Sequence, residues 1–146
     1  GGARSRLEAA GRRARRDVRF VGWLPRDEAF VWLRYAAVLV FPSYGPESLS
    51  RVLLEASALG RPIAANDTGG TSDIIAHEVT GLLSHTAEGL GDDLARLRQD
   101  EGLRHRLGAA AQQRVEERFE SSGVVRRMEA LYATLVERGR REAGGR

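Results

Sequence analysis

The chain has 146 residues, the length of one domain and enough to bury a core without disulfide or metal staples. It has no cysteine, which removes disulfides, thiolate zinc sites and cysteine nucleophiles. All 23 of its basic residues are arginine, so there is no lysine for Schiff-base chemistry with pyridoxal phosphate and none for a Walker-type phosphate loop.

The net charge of +3 is unevenly spread. Residues 1–20 hold seven arginines against Glu8 and Asp17, a local +5, so the rest of the chain is slightly acidic. A basic segment of this kind suits nucleic acid or anionic lipid. No aromatic residue is interleaved with the arginines before Phe20, which favours a plain solvated helix face or one that meets a part of the protein outside this chain. No apolar run approaches the roughly 18 residues of a membrane span, and no signal-peptide pattern opens the chain. Gly1-Gly2 without an initiator methionine reads as the start of an excised piece of something longer, or of a mature or cloned fragment.

In chain order, residues 4–16 are rich in Ala, Arg and Leu and predict a helix. Val18 to Val21 alternates and stops at Gly22, which predicts a short strand. Pro25 and Asp27 open a second helix of about ten residues. The apolar run Ala37 to Phe41, halted by Pro42, suits a parallel strand covered on both faces. Residues 42–48 are a loop by composition. Leu49, Val52, Leu53, Ala56 and Leu59 recur at helical spacing and Gly60 closes that helix. Pro62 to Ala65 predicts a third strand, Asn66 to Thr71 a turn around Gly69-Gly70, residues 72–77 one or two helical turns, and Gly81 to Ser84 a last strand. Three helices follow, marked by Leu90, Leu94 and Leu97, then Leu103, Leu107, Ala111 and Val115, then Val124, Met128, Leu131 and Leu135.

Alternating strands and helices argue for an α/β fold with a parallel sheet and helices on both faces, followed by carboxy-terminal helices. The expected organisation is one partial domain over 1–146, with an α/β core to 120, a terminal helix over 121–138 and a frayed tail over 139–146. In such sheets the ligand sits beyond the carboxyl ends of the strands. The loops after Phe41 and Ala65 meet that edge, and they have the most unusual composition in the chain.

These loops hold a carboxylate, Glu47, and a second, Glu55, lies one to two turns into the following helix. Ser48 or Ser50 suits the cap of that helix, whose N-terminal N–H groups and dipole favour a phosphate. Gly69-Gly70 lets backbone approach the same ligand. Carboxylates flanking an anion-binding helix start suit a ligand with hydroxyls at both ends and phosphate in the middle, the shape of a nucleotide-sugar. Plainer roles stay open on the residues alone: an i,i+4 pair of Arg51 with Glu55, a solvated Glu47, and a simple turn at Gly69-Gly70. His77, His85 and His105 lie in unrelated contexts and read as surface residues; no Asp or His cluster has metal-ligand spacing.

The series Pro42-Ser43, Glu47 and Glu55 with seven residues between them, Ala58-Leu59-Gly60-Arg61-Pro62, and Gly69-Gly70 resembles the signature of the family 4 (group 1) glycosyltransferases of the GT-B fold. Glu55 to Ile63 is similar to the family's "EAxAxGxPV" run and Thr80-Gly81-Leu82-Leu83 to its "tGllv" strand; Val18 to Gly22, Leu107 to Ala110 and Leu131-Tyr132 extend the likeness along nearly the whole chain. The resemblance implies a Rossmann-like, nucleotide-sugar-binding carboxy-terminal half of a retaining, metal-independent, cytoplasmic enzyme, with a membrane surface left open as a partner of the parent enzyme, that uses no cofactor beyond its nucleotide-diphosphate sugar and binds no nucleic acid. It implies that Glu47 bonds donor-sugar hydroxyls, that Glu55 bonds the ribose, that N–H groups near Ser48, Leu49 and Ser50 face the sugar or diphosphate, and that Gly69 and Gly70 line the cleft. Leu49-Ser50 stands where the family has Phe-Gly, and Asp73 where it has Glu. The family's arginine and lysine for the diphosphate, and its acceptor domain, would lie upstream of this chain, with Arg51 a weak stand-in. The other classes that fit are a GT-B nucleotide-sugar epimerase and a non-catalytic binding module; a dinucleotide oxidoreductase lacks its Gly-x-Gly-x-x-Gly.

Overall fold

A computed structural model describes residues 2–13, 18–45 and 48–144. The chain divides into two compact units, Gly1–Trp32 and Leu33–Arg146.

The first unit opens with α1 (Gly2–Arg13). Residues 18–25 follow as irregular chain, not as the expected strand: Val18 to Val21 make no ladder with any described strand, and both valines are about half exposed. Alternation sets which way side chains point, but a strand exists only where a neighbour takes its N–H and C=O groups. Val18 lies over Gly11 of α1 instead. α2 (Arg26–Tyr35) then begins, with the Ala29 N–H donating to the Pro25 carbonyl at 3.0 Å. Asp27 and Glu28 in its first turn and Arg34 in its last complement the helix dipole.

In the second unit β1 (Leu39–Phe41), β2 (Ile63–Asn66) and β3 (Leu82–Ser84) form a parallel sheet in the order β1-β2-β3. Val40 pairs with Ala64, which pairs with Leu82, so the three strands end together at Phe41, Asn66 and Ser84. Every residue of the central strand is buried. Ile63 and Ala65 face one cluster with Leu33, Leu53, Ala56, Ile74 and Ile75. Ala64 turns to the other side and packs with Leu82, Leu90, Leu97, Leu103 and Leu107. This period of two places α3 (Arg51–Ala58) and α4 (Thr71–Ile74) with the first cluster and α5 (Ala87–Gln99) with the second. The α/β arrangement with both faces covered matches the expectation from sequence.

Helix ends follow local chemistry. After α3, Gly60 takes φ +64°, and the Gly60 and Arg61 N–H groups return to the Ser57 and Ala56 carbonyls at 2.9 Å each, a Schellman closure. Thr86 caps α5 through Gly89, and Asp100 caps α6 (Glu101–Phe119) through Leu103. Glu120 accepts the Ser122 and Gly123 N–H groups at the start of α7 (Ser121–Gly144); bonds from the Ser122 hydroxyl and these amides hold its carboxyl below the usual range. α7 is helical to Gly144, past the end expected at 138, because the sequence after 138 has no proline and only Gly139 as a weak helix former before Gly144.

α6 packs along α3 through Gly108, where a methyl group would overlap the Gly60 carbonyl. Further along, the Arg114 guanidinium donates to the Ile74 carbonyl (2.9 Å) and the Asp73 carbonyl (3.1 Å) and so closes the end of α4. On the other face the buried Asp93 accepts the Ser84 hydroxyl at 2.5 Å, and Arg96 bridges Asp93 to Glu78. The hydrogen bond from Arg96 holds the Glu78 carboxyl below its usual range.

Gly108→Ala should destabilise the protein by about 1–3 kcal/mol despite alanine's better helix propensity. Gly91→Ala, in open space on α5, should instead stabilise it by about 0.5–1 kcal/mol; urea denaturation compares them. Glu78→Gln should cost less than about 1 kcal/mol at neutral pH, since both partners are nearly half exposed. The folded state lowers the Glu78 pKa, so its contribution is present above the carboxylate range and lost as pH falls through it. Variant and parent melting temperatures should therefore converge as the pH falls below the carboxylate range.

Candidate functional site

Besides the link from β3 to α5, two connections leave the sheet at its carboxyl edge, one from β1 to α3 and one from β2 to α4. The second is held stiffly. The Asp67 N–H donates to the Ser84 carbonyl at 2.8 Å. The Thr68 carbonyl accepts both the Thr71 N–H at 3.1 Å and the Thr71 hydroxyl at 2.7 Å, with Thr71 itself buried. Gly69 has φ +53°, a left-handed conformation that glycine adopts without strain. Gly70 has an ordinary φ of −81° and is glycine for a different reason: a methyl there would overlap the Ser48 carbonyl oxygen.

That contact brings the two predicted loops together. Ser48 and Leu49 are exposed beside it, and Ser50 is buried at the N-cap position of α3 in extended conformation (φ −82°, ψ 116°). The expectation that Ser50 caps the helix with its hydroxyl does not hold, because the buried side chain makes no cap hydrogen bond. Neither Ser50 nor an acidic residue in the first turn satisfies the leading N–H groups of α3, so their partial positive charge faces the edge. Arg51, the first residue of α3, is exposed there. Glu55 lies in the second turn of the same helix, half-buried. Glu47 lies outside the described residues. Ser48, Ser50, Gly69 and Gly70 thus meet at one edge, with Glu55 further along the helix that starts there.

Residues not predicted from sequence also belong to this edge. Asn66 Nδ2 and Thr68 Oγ1 both donate to the Ser43 carbonyl, at 3.3 and 3.4 Å. The available signal was an amide side chain directly after the apolar run Ile63-Ala64-Ala65. At the opposite edge, a pocket of about 130 Å³ involves Arg61, Glu101, Arg104 and His105. Arg61 donates there to the Leu59 and Ala36 carbonyls, and Arg104 to those of Leu97 and Arg98, so both guanidinium groups close main-chain ends. The three histidines are exposed, as expected, and His77 Nδ1 accepts the Leu83 N–H at 2.9 Å. Among the described residues no group of three or more His, Asp or Glu is arranged to hold a metal ion, and no helix is long and apolar enough to cross a membrane.

A parallel sheet covered by helices, with a glycine-rich loop pressed against the start of a helix at its carboxyl edge, is the arrangement at which open α/β sheets place their ligands. The sequence model described as glycosyl transferases group 1 matches residues 2–114, and the chain belongs to that family. It is 41% identical over 96 residues to a D-inositol 3-phosphate glycosyltransferase of Kribbella flavida, covering 64% of this chain and 22% of the relative. Among solved structures it resembles the sucrose-phosphate synthase of Thermosynechococcus elongatus, with TM-score 0.77 and 30% identity over 94% of this chain and 35% of that one. The HepE protein of Anabaena, solved in complex with UDP-glucose, has TM-score 0.75 at 20% identity, covering 89% of this chain and 36% of that one. The fold is therefore that of the GT-B glycosyltransferases, and the chain spans about a fifth of the length of the Kribbella relative.

Gly70→Ala should cost about 1–3 kcal/mol in urea denaturation, because the Ser48 main chain must move. Gly45→Ala, with nothing within 4 Å of the new methyl, should change stability by less than about 0.5 kcal/mol.

Proposed function

We propose that this chain is the donor-binding part of a retaining, metal-independent glycosyltransferase that moves a hexosyl-type group from a nucleotide-diphosphate sugar to a hydroxyl acceptor. The observation that carries the reading is the seating of Gly70 against the Ser48 carbonyl, which joins a glycine-permitted loop to the start of α3, where the Ser50 hydroxyl makes no cap bond. Membership of the family supports it, as does the UDP-glucose held by the structurally similar HepE protein.

In this reading the first-turn N–H groups of α3 and the backbone at Ser48, Leu49 and Ser50 face the diphosphate or the sugar. Fixed dipoles aimed at a departing diphosphate stabilise its charge as the glycosidic bond breaks, with no reorganisation at that moment. Glu55 accepts hydrogen bonds from the ribose hydroxyls, and Glu47 orients the donor sugar. Gly69 and Gly70 form the wall opposite α3. No cofactor takes part. The acceptor site and the cations for the diphosphate come from other parts of a longer polypeptide, so this chain binds nucleotide but does not turn over alone.

Calorimetric titration of the chain with UDP, GDP and ADP tests the reading. One of the three should bind, and Glu55→Ala should weaken it by roughly tenfold or more, the loss of a charged hydrogen-bond acceptor. Unchanged affinity in Glu55→Ala would remove the ribose role. Failure of all three nucleotides to bind would remove the donor-site reading.

A further inference from the structure

The β2 strand raises a question that the site so far leaves open. Ile63, Ala64 and Ala65 are apolar and fully buried, and the strand then ends in Asn66, whose relative exposure is 2%. An amide so placed is costly unless its polar atoms are paired. Its Nδ2 has one partner, the Ser43 carbonyl, and its Oδ1 has none among the described residues. The assignment of the two amide atoms is fixed by that partner, since an oxygen in place of Nδ2 would face the carbonyl as acceptor to acceptor. Asn66 therefore keeps a buried, unpaired acceptor in an otherwise apolar strand and makes one side-chain hydrogen bond.

The Ser43 carbonyl lies two residues beyond β1, on the connection that ends at α3. A carbonyl has two acceptor positions, and the Thr68 hydroxyl takes the second. Thr68 is itself braced by Thr71 through its carbonyl. The same rigid loop meets the other end of the connection, where Gly70 abuts the Ser48 carbonyl. The path from β1 to α3 is thus tied at Ser43 and abutted at Ser48 by one block of chain.

We infer that Asn66 is a positioning residue: with Thr68 it holds the Ser43 carbonyl and thereby fixes where the start of α3 stands relative to the Gly69-Gly70 loop. Asn66 touches no ligand, because its free oxygen is fully enclosed. It acts through Ser43. The consequence for donor binding rests on the function proposed above, whereas the tie itself does not.

The test compares the chain with Asn66→Leu, Thr68→Val, the double variant and Thr68→Ser. Asn66→Leu keeps the branched outline and the number of side-chain heavy atoms and removes the unpaired acceptor, so the melting temperature should hold or rise. Hydrogen exchange of amides in 43–45 and 48–51 should nevertheless quicken by roughly tenfold in the double variant, with β2 and β3 unchanged. Thr68→Ser, which keeps the hydroxyl, should exchange like the parent. Affinity for whichever of UDP, GDP and ADP the parent chain binds should weaken by at least about tenfold in the double variant. Unchanged exchange in 43–51 would overturn the inference, as would a uniform rise across the sheet with a lowered melting temperature, the mark of a merely structural residue. Faster exchange with unaltered affinity for that nucleotide would overturn the consequence for the donor site. If the parent chain binds none of UDP, GDP and ADP, the functional reading fails separately and the exchange data still decide the tie.

Discussion

Much of the second unit depends on the burial of β2 between two layers. A parallel strand with both faces covered must place alternate residues in different cores, and four residues suffice here: Ile63 and Ala65 toward α3 and α4, Ala64 toward α5. The small side chains at 64 and 65 let the flanking helices approach closely. Because β2 is paired on both sides, its register sets the height of β1 and β3, and hence the level at which their following loops emerge. The edge at which Ser48 meets Gly70 exists because these strands stop together.

The elements that sequence reveals best are those whose own residues carry the whole signal. The run from Ala37 to Phe41 and the stripe through Leu53 and Ala56 to Gly60 needed no knowledge of partners, and both stand with boundaries shifted by one or two residues. Val18 to Val21 shows the limit. Its alternation is sound, but a strand is a relation between two segments, and no described neighbour supplies the other half. Ser50 shows another. Its position at the N-cap follows from the pattern, while the use of its hydroxyl depends on a burial that spacing does not encode.

At the candidate site, glycine was the most legible residue. Gly69 and Gly70 were singled out as one pair, yet they serve different physical ends, the first a left-handed backbone and the second a close approach. The polar tie from Asn66 and Thr68 to Ser43 could not be read from sequence, because it joins side chains to a main-chain oxygen more than twenty residues away. Main-chain acceptors have no identity in a sequence.

α6 touches this edge without forming part of it. Gly108 seats it against the end of α3, and the two-pronged Arg114 grips the end of α4. A lysine at 114 would present a single ammonium point, not a planar fork matched to two carbonyls. The two helices whose starts border the proposed donor site are therefore fastened at their far ends to a common spar. Two helices fastened to one spar favour a gap of set width, and a ligand of the proposed kind would then lose little affinity to reshaping it.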